Sequence, residues 1–256
     1  TGSKSVAVGY AALTTQNFTT ATDGFNVAMG YEAGLAITTG VRNILIGGVA
    51  GDALTDADKN TAIGDQALSS DTLGSKSTAI GFGTLFTQNF TTATDTYNVA
   101  VGHNAGLSVT TGQQNTLIGG EAGDAFTDAD FNVGLGYRAL STDTKGSKSV
   151  AVGNGALFSQ NFTTATDSLN TAVGFEAGVS VTTGQYNTLI GAIAGDALTT
   201  GTRNVVLGYN ALATDTQGSK SVAIGLGTLQ DQNFTTATDS FNTAVGHGAG
   251  SSVTTG

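Results

Sequence analysis

The chain has 256 residues, a net charge of −10, only 11% charged residues, and neither cysteine nor proline. The lack of cysteine excludes disulfides and thiol chemistry, and the acidic balance argues against nucleic acid or an anionic membrane as partner. No apolar run approaches the roughly 20 residues of a membrane span, so we expect no membrane insertion in this segment.

The sequence repeats every 72 residues without drift, and Gly-Ser-Lys-Ser begins at Gly2, Gly74, Gly146 and Gly218. A fixed period over a whole chain is typical of units that stack on one another. We therefore predict that residues 1–256 form one repetitive fibre segment, a fragment of a longer chain.

Each 72-residue unit contains four shorter phrases. The first reads Ser5-Val6-Ala7-Val8-Gly9, and the next three begin at Asn26, Asn43 and Asn60. Alternating residues closed by glycine predict a short strand followed by a bend, and no segment has helical periodicity. Fourteen such phrases predict an all-β fold, a parallel β-roll or β-solenoid of about 14 turns.

The residue before the glycine is apolar in every phrase, and we predict that it forms the buried spine of the roll. This spine is Val8, Met29, Ile46, Ile63, Ile80, Val101, Ile118, Leu135, Val152, Val173, Ile190, Leu207, Ile224 and Val245.

The middle residue of each strand must point to the opposite side from the spine, yet it is apolar too. Strands that are apolar on both faces are normally covered on both, so we predict that this column lies at the axis of a homo-oligomer. The alternative is that small alanines are tolerated on an exposed face. The candidate axis residues are Ala7, Ala28, Leu45, Ala79, Leu117, Ala151 and Leu189.

The phrase Asn-x-Ala-Ile/Val-Gly-x-x-Ala resembles the repeat of the YadA-like head domains of trimeric autotransporter adhesins and similar repeats of bacteriophage tail fibres. The resemblance covers the whole chain. It implies a left-handed parallel β-roll wound as a homotrimer, located outside the cell and used for attachment. The longer turns and the 72-residue period depart from the adhesin pattern and favour the phage or environmental-fibre version.

The candidates for chemistry have structural interpretations. The two histidines, His103 and His247, share a repeat position with Tyr31 and Phe175, so they fill an aromatic position. The glycine pairs lack the helix that a phosphate loop requires. We therefore expect no enzyme activity, no catalytic residues and no cofactor.

Two acidic clusters, Asp52/Asp56/Asp58 and Asp124/Asp128/Asp130, have oxygen ligands of the kind that Ca²⁺ binds. The third unit keeps only Asp196 at this place, and the spacing of a calcium loop is absent. We interpret the clusters as solvated turns and expect no metal site.

The asparagines that begin many phrases predict ladders of side-chain amides along the stack. The longest turn of each unit also carries an Asn-Phe-Thr sequon, which we predict to be an exposed loop for binding or modification. These loops contain Asn17, Phe18, Asn89, Phe90, Asn161, Phe162, Asn233 and Phe234.

Three functions fit this pattern. The first is a non-catalytic extracellular attachment fibre or adhesin shaft, on a phage virion or a bacterial surface, with a cell-surface glycan or protein as receptor. The second is a purely structural extracellular filament or matrix protein. The third is an ice-binding solenoid, which requires a file of threonine at each turn, whereas the first strand column mixes Val27 and Ile44 with Thr61.

Overall fold

The structure, a computed structural model, describes residues 2–256. It divides into two compact units, residues up to 129 and residues 130–256. In the described residues every element is a strand of two or three residues, and no helix is present. Fourteen three-residue strands, one for each sequence phrase, confirm the all-β fold and a parallel β-solenoid of about 14 turns.

Within its described residues, 2–129, the first unit contains eleven strands. They are β1 Gly2–Ser3, β2 Val6–Val8, β3 Thr22–Asp23, β4 Val27–Met29, β5 Ile44–Ile46, β6 Thr61–Ile63, β7 Gly74–Ser75, β8 Thr78–Ile80, β9 Thr94–Asp95, β10 Val99–Val101 and β11 Thr116–Ile118.

The second unit, described throughout, also contains eleven strands. They are β12 Val133–Leu135, β13 Gly146–Ser147, β14 Val150–Val152, β15 Thr166–Asp167, β16 Thr171–Val173, β17 Thr188–Ile190, β18 Val205–Leu207, β19 Gly218–Ser219, β20 Val222–Ile224, β21 Thr238–Asp239 and β22 Thr243–Val245.

Within each unit, successive three-residue strands pair in parallel with equivalent residues aligned. Ala28 lies beside Leu45, and Met29 lies beside Ile46. The two-residue strands form separate pairs, such as β7 with β9, where Gly74 lies beside Thr94. The extra residues of the 21-residue turns are therefore held by their own backbone hydrogen bonds.

The bend after each strand depends on glycine. Gly64 has φ +138°, and a Cβ atom there would overlap the carbonyl oxygen of Gly81 in the next turn. Left-handed φ values also occur at non-glycine residues, including Lys59 at 59° and Tyr97 at 52°. Such values are uncommon outside glycine, so we infer that hydrogen bonds between turns stabilise this backbone path.

The interior of each unit is filled by the middle residue of the strands. Ala79 and Ala100 have no exposed surface, and Leu117 is 1% exposed. A Cβ atom at Gly106 would meet the side chains of both Leu85 and Leu117, so the interior has no space for a side chain there. Alanine and leucine make up most of the core, which also holds larger side chains such as Ile37 and Phe126.

The prediction assigned the two strand columns to the wrong sides. The middle column, predicted as an oligomer axis, is instead the core of the single chain. Only Ala7, in the first turn, is exposed; the buried members of that set are Ala28, Leu45, Ala79, Leu117, Ala151 and Leu189.

The predicted spine correspondingly lies on the outside. The column that is mostly alanine faces inward, so strand alternation turns the column of valine, isoleucine, leucine and methionine outward. Val8 is 52% exposed and Met29 is 46% exposed. None of the predicted spine residues is buried: Val8, Met29, Ile46, Ile63, Ile80, Val101, Ile118, Leu135, Val152, Val173, Ile190, Leu207, Ile224 and Val245.

The asparagine ladders predicted from the sequence are present. The side-chain oxygen of Asn26 accepts the backbone N–H of Asn43 at 2.9 Å, and Asn43 accepts that of Asn60 at 2.9 Å. Each side-chain amide donates to a backbone carbonyl further along the chain, as from Asn43 to the carbonyl of Ala57 at 2.8 Å. The ladders therefore join side chain to backbone and tie consecutive turns together.

Candidate assembly and binding surfaces

In each unit, the outward-facing residues of the three-residue strands form what we call the apolar face. It consists of the predicted spine column together with the first strand residues, none of which is buried. Ile44 is 40% exposed and Ile118 is 41% exposed. The first strand residues are Val6, Val27, Ile44, Thr61, Thr78, Val99, Thr116, Val133, Val150, Thr171, Thr188, Val205, Val222 and Thr243.

One border of the apolar face collects most of the positive charge of the chain. We call it the cationic edge; each member directly precedes the asparagine or serine that begins a phrase. Seven of the nine lysine and arginine residues lie there, a pattern visible in the sequence but missed by our prediction. The edge is Lys4, Phe25, Arg42, Lys59, Lys76, Tyr97, Gln114, Phe131, Lys148, Leu169, Tyr186, Arg203, Lys220 and Phe241.

The first lysine of each 72-residue repeat, which belongs to the cationic edge, forms an ion pair with an aspartate outside that edge. Lys76 Nζ lies 2.5 Å from Asp95 and 5.0 Å from the ring centre of Tyr97. The hydrogen bond from Lys76 lowers the pKa of Asp95 and, in return, raises the pKa of Lys76. Equivalent pairs join Lys4 to Asp23, Lys148 to Asp167 and Lys220 to Asp239.

The opposite border of the apolar face is mainly aromatic. We call it the aromatic edge; each member follows the glycine that ends a strand. Tyr10 stacks on Tyr31 with ring centres 5.5 Å apart, and Phe82 stacks on His103 at 5.3 Å. The edge is Tyr10, Tyr31, Gly48, Asp65, Phe82, His103, Gly120, Tyr137, Asn154, Phe175, Ala192, Tyr209, Leu226 and His247.

The predicted binding loops are only partly exposed. Asn17, Asn89 and Asn161 are exposed, and Asn233 is half-buried. Their phenylalanines point inward instead: Phe18, Phe90 and Phe162 are 5%, 6% and 5% exposed, and Phe234 is half-buried. The phenylalanines anchor the loops because each buries a large apolar ring, so we correct their assignment as exposed binding residues.

A buried carboxylate fixes each of three loops. Asp71 accepts the backbone N–H groups of Gly74 and Phe90 at 3.0 Å and the side-chain amide of Gln88 at 2.6 Å. Gln88 in turn accepts from Asn98 at 2.9 Å. Burial raises the pKa of Asp71. The same arrangement recurs at Asp143 and Asp215.

A second outward column, remote from the strands in sequence, contains threonine or asparagine at every turn. We call it the hydroxyl file. Thr38 donates its hydroxyl to the carbonyl of Thr55 at 3.2 Å, and Thr55 donates to that of Thr72 at 3.1 Å. The file is Asn17, Thr38, Thr55, Thr72, Asn89, Thr110 and Thr127 in the first unit, and Thr144, Asn161, Thr182, Thr199, Thr216, Asn233 and Thr254 in the second.

The acidic turn of the first repeat directs its carboxylates to separate partners. Asp52 accepts the hydroxyl of Ser69 at 2.7 Å, and Asp58 accepts the backbone N–H of Val41 at 2.8 Å. Asp56 accepts from Thr39 at 2.5 Å. In the described part of the chain, no group of three potential ligands could hold a metal ion.

No protein-family model matches this chain, and no curated protein matches it. Over residues 2–256 the structure has no enclosed pocket and no helix that could cross a membrane. The apolar face, its two edges and the hydroxyl file are therefore the features of the described residues that bear on function.

Proposed function

We propose that the chain is a shaft segment of a non-catalytic extracellular attachment fibre, on a phage virion or a bacterial surface, and that it forms a homotrimer. The resemblance to adhesin and tail-fibre repeats contributes the trimer, the left-handed winding and the location. The observation that carries the proposal is the apolar face, which lies on the outside of each turn.

Parallel sheets occur almost only where both faces are covered. In this chain the core covers the inner face, whereas the outer face keeps exposed valine, isoleucine and methionine. Large contiguous apolar surfaces typically mark protein interfaces. Further copies of the same chain would supply a matching surface at every turn, because the apolar columns have the same repeat in each copy.

The attachment role is supported by the repetition of outward features. The exposed Asn17, Asn89 and Asn161 recur once per 72-residue repeat, so any weak contact with a cell-surface glycan or protein receptor is repeated along the chain. Linked weak contacts raise the overall affinity without any new contact type. The shaft would contribute avidity in addition to holding a receptor-binding part.

The assembly is tested by mass. We expect sedimentation equilibrium to give three times the 25.4 kDa of one chain. Ile80→Lys should give folded monomers, because it places charge on the apolar face. Thr110→Lys, on the hydroxyl file, is the matched control and should remain trimeric. A monomeric wild-type protein would contradict the proposal.

The attachment role is tested by comparing the trimer with the Ile80→Lys monomer on glycan arrays and on intact bacterial cells. We expect the trimer to bind and the monomer to bind more weakly through loss of avidity. End-to-end filaments in electron micrographs, with no binding to any cell or glycan, would favour the structural filament.

One observation favours the ice-binding alternative. The first strand column mixes threonine with valine and isoleucine, whereas the hydroxyl file has threonine or asparagine at every turn. However, hydroxyls such as those of Thr38 and Thr55 already donate to backbone carbonyls. Thermal hysteresis that is lost on Thr55→Lys would support this alternative over attachment.

A further inference from the structure

The two edges of the apolar face have complementary chemistry. The cationic edge and the aromatic edge run along its opposite borders, and every member of the first lies six residues before a member of the second. A three-residue strand, with one residue on each side of it, separates the two members in each turn. Contact between the edges therefore requires two copies of the chain.

Seven of the fourteen pairs of edge residues six positions apart would bring a cation or a ring against a ring. They place a cation against an aromatic ring at Lys4/Tyr10, Lys76/Phe82 and Arg203/Tyr209, which is an attractive arrangement. Two rings meet at Phe25/Tyr31, Tyr97/His103, Phe131/Tyr137 and Phe241/His247.

The charged residues of the two edges are also complementary. Asp65 is the only acid of the aromatic edge, and the residue six positions before it is Lys59. Both side chains are exposed, and neither makes an ion pair or a side-chain hydrogen bond with another described residue. No turn places like charges opposite one another along the two edges.

We infer that the cationic edge of one copy contacts the aromatic edge of the next copy in the same register, so that each interface is heterologous and the ring of copies closes. This inference rests on the proposed homotrimer and specifies its contacts. A closed ring joins two different surfaces at each interface, and this chain presents two different borders on either side of one apolar face.

The chain has no cysteine, so introduced thiols are the only ones present. Asn60 to Gly64 alone spans about 13 Å at the rise of a strand, so Lys59→Cys and Asp65→Cys within one copy lie too far apart for a short bis-maleimide to link. We expect the double variant to give covalent dimers and closed trimers on denaturing gels. Each single variant should stay monomeric on the gel, because the same residue does not meet itself across a heterologous interface.

Charge reversal gives a second measurement. Lys59→Glu alone places two acids together, and Asp65→Lys alone places two cations together. Each should raise the concentration at which the trimer dissociates by about tenfold or more. The double variant Lys59→Glu/Asp65→Lys should return the dissociation concentration most of the way to the wild-type value. Thr110→Lys is the control and should leave the dissociation concentration unchanged.

The outcomes separate this inference from the assembly itself. A wild-type chain that is monomeric at every concentration overturns both. A second outcome is a trimeric wild-type chain whose Lys59→Cys/Asp65→Cys variant does not cross-link and whose double charge reversal does not restore the affinity. That result would leave the trimer standing and overturn the edge contact. Cross-linking of a single-cysteine variant with itself would likewise overturn the heterologous arrangement.

Discussion

The apolar face and the hydroxyl file are both outward surfaces of the same turns, yet their chemistry differs. On the apolar face, Ile44 and Ile118 leave about two-fifths of their surface exposed. Along the hydroxyl file, Thr38 and Thr55 satisfy their own polar groups on the neighbouring turn. The apolar face therefore leaves apolar side chains exposed, whereas the hydroxyl file has its polar groups satisfied within the chain. This difference distinguishes the side that we propose to assemble from the side that faces water.

The sharpest test of this comparison uses adjacent residues of one strand. Ala79 is fully buried and Ile80 is partly exposed. Ala79→Glu should bury an unpaired carboxylate at a cost of several kcal/mol, and the chain should fail to fold. Ile80→Glu should abolish the trimer. The resulting monomer should keep the circular dichroism of the wild-type protein and should still unfold cooperatively. If both variants behave alike, the two sides of the strand are not distinguished as described.

Substitution of the glycine bend after each strand should have the next largest effect on stability. Gly64→Ala should lower the free energy of unfolding by at least about 2 kcal/mol, because it combines a glycine-only φ with overlap of the next turn. Gly48→Ala is the control, because other turns carry Tyr31 or Phe82 at that position. Denaturant unfolding measures both, and equal stability of the two variants would contradict the role of the bend.

The buried carboxylates support the loops beside the hydroxyl file. Asp71→Asn should cost about 1–3 kcal/mol, because its new amide would face the amide of Gln88. The double variant Asp71→Asn/Gln88→Glu should recover most of the loss, since the new carboxylate at position 88 accepts both from the amide introduced at position 71 and from Asn98. Chemical denaturation checks this double-mutant cycle, and absence of recovery would reject the proposed hydrogen-bond exchange.

Substitutions in the hydroxyl file should have the smallest effect on stability. Thr55→Val removes one hydroxyl donor to the carbonyl of Thr72, which still receives the backbone N–H of Thr55 at 3.0 Å. The expected loss is about 1 kcal/mol or less, with the trimer mass unchanged. A change in mass would show that this side also takes part in assembly.

The fold was predictable because its signals are repeated. The glycine after each strand, the alternation within it and the asparagine or serine before it recur in all phrases, and these predicted the parallel solenoid and its polar ladders. Which side of the strand faces inward could not be read from alternation alone, because both columns are apolar. The middle column is alanine in nine of the fourteen strands, and this smaller column fills the core, with leucine at Leu45, Leu117 and Leu189.

The surfaces were less predictable. The sequence placed the phenylalanine of the sequon in an exposed loop, but Phe90 is buried while Asn89 is not. The hydroxyl file lies outside the repeated phrase, so its alignment emerges only from hydrogen bonds between turns, such as Asn89 N–H to the carbonyl of Thr110 at 3.0 Å. The cationic edge was predictable, because seven of the nine lysine and arginine residues share the position just before the repeated phrase.

The asparagine ladder has a direction. The side-chain oxygen of Asn26 is filled only when Asn43 arrives, and that of Asn43 only when Asn60 arrives. Each turn that begins with asparagine thus presents a ready acceptor to the segment that follows it, whereas the turns that begin with Ser77, Ser149 and Ser221 carry no such amide. The ladder is therefore built in runs of three asparagines, and each asparagine holds the turn on its C-terminal side in register.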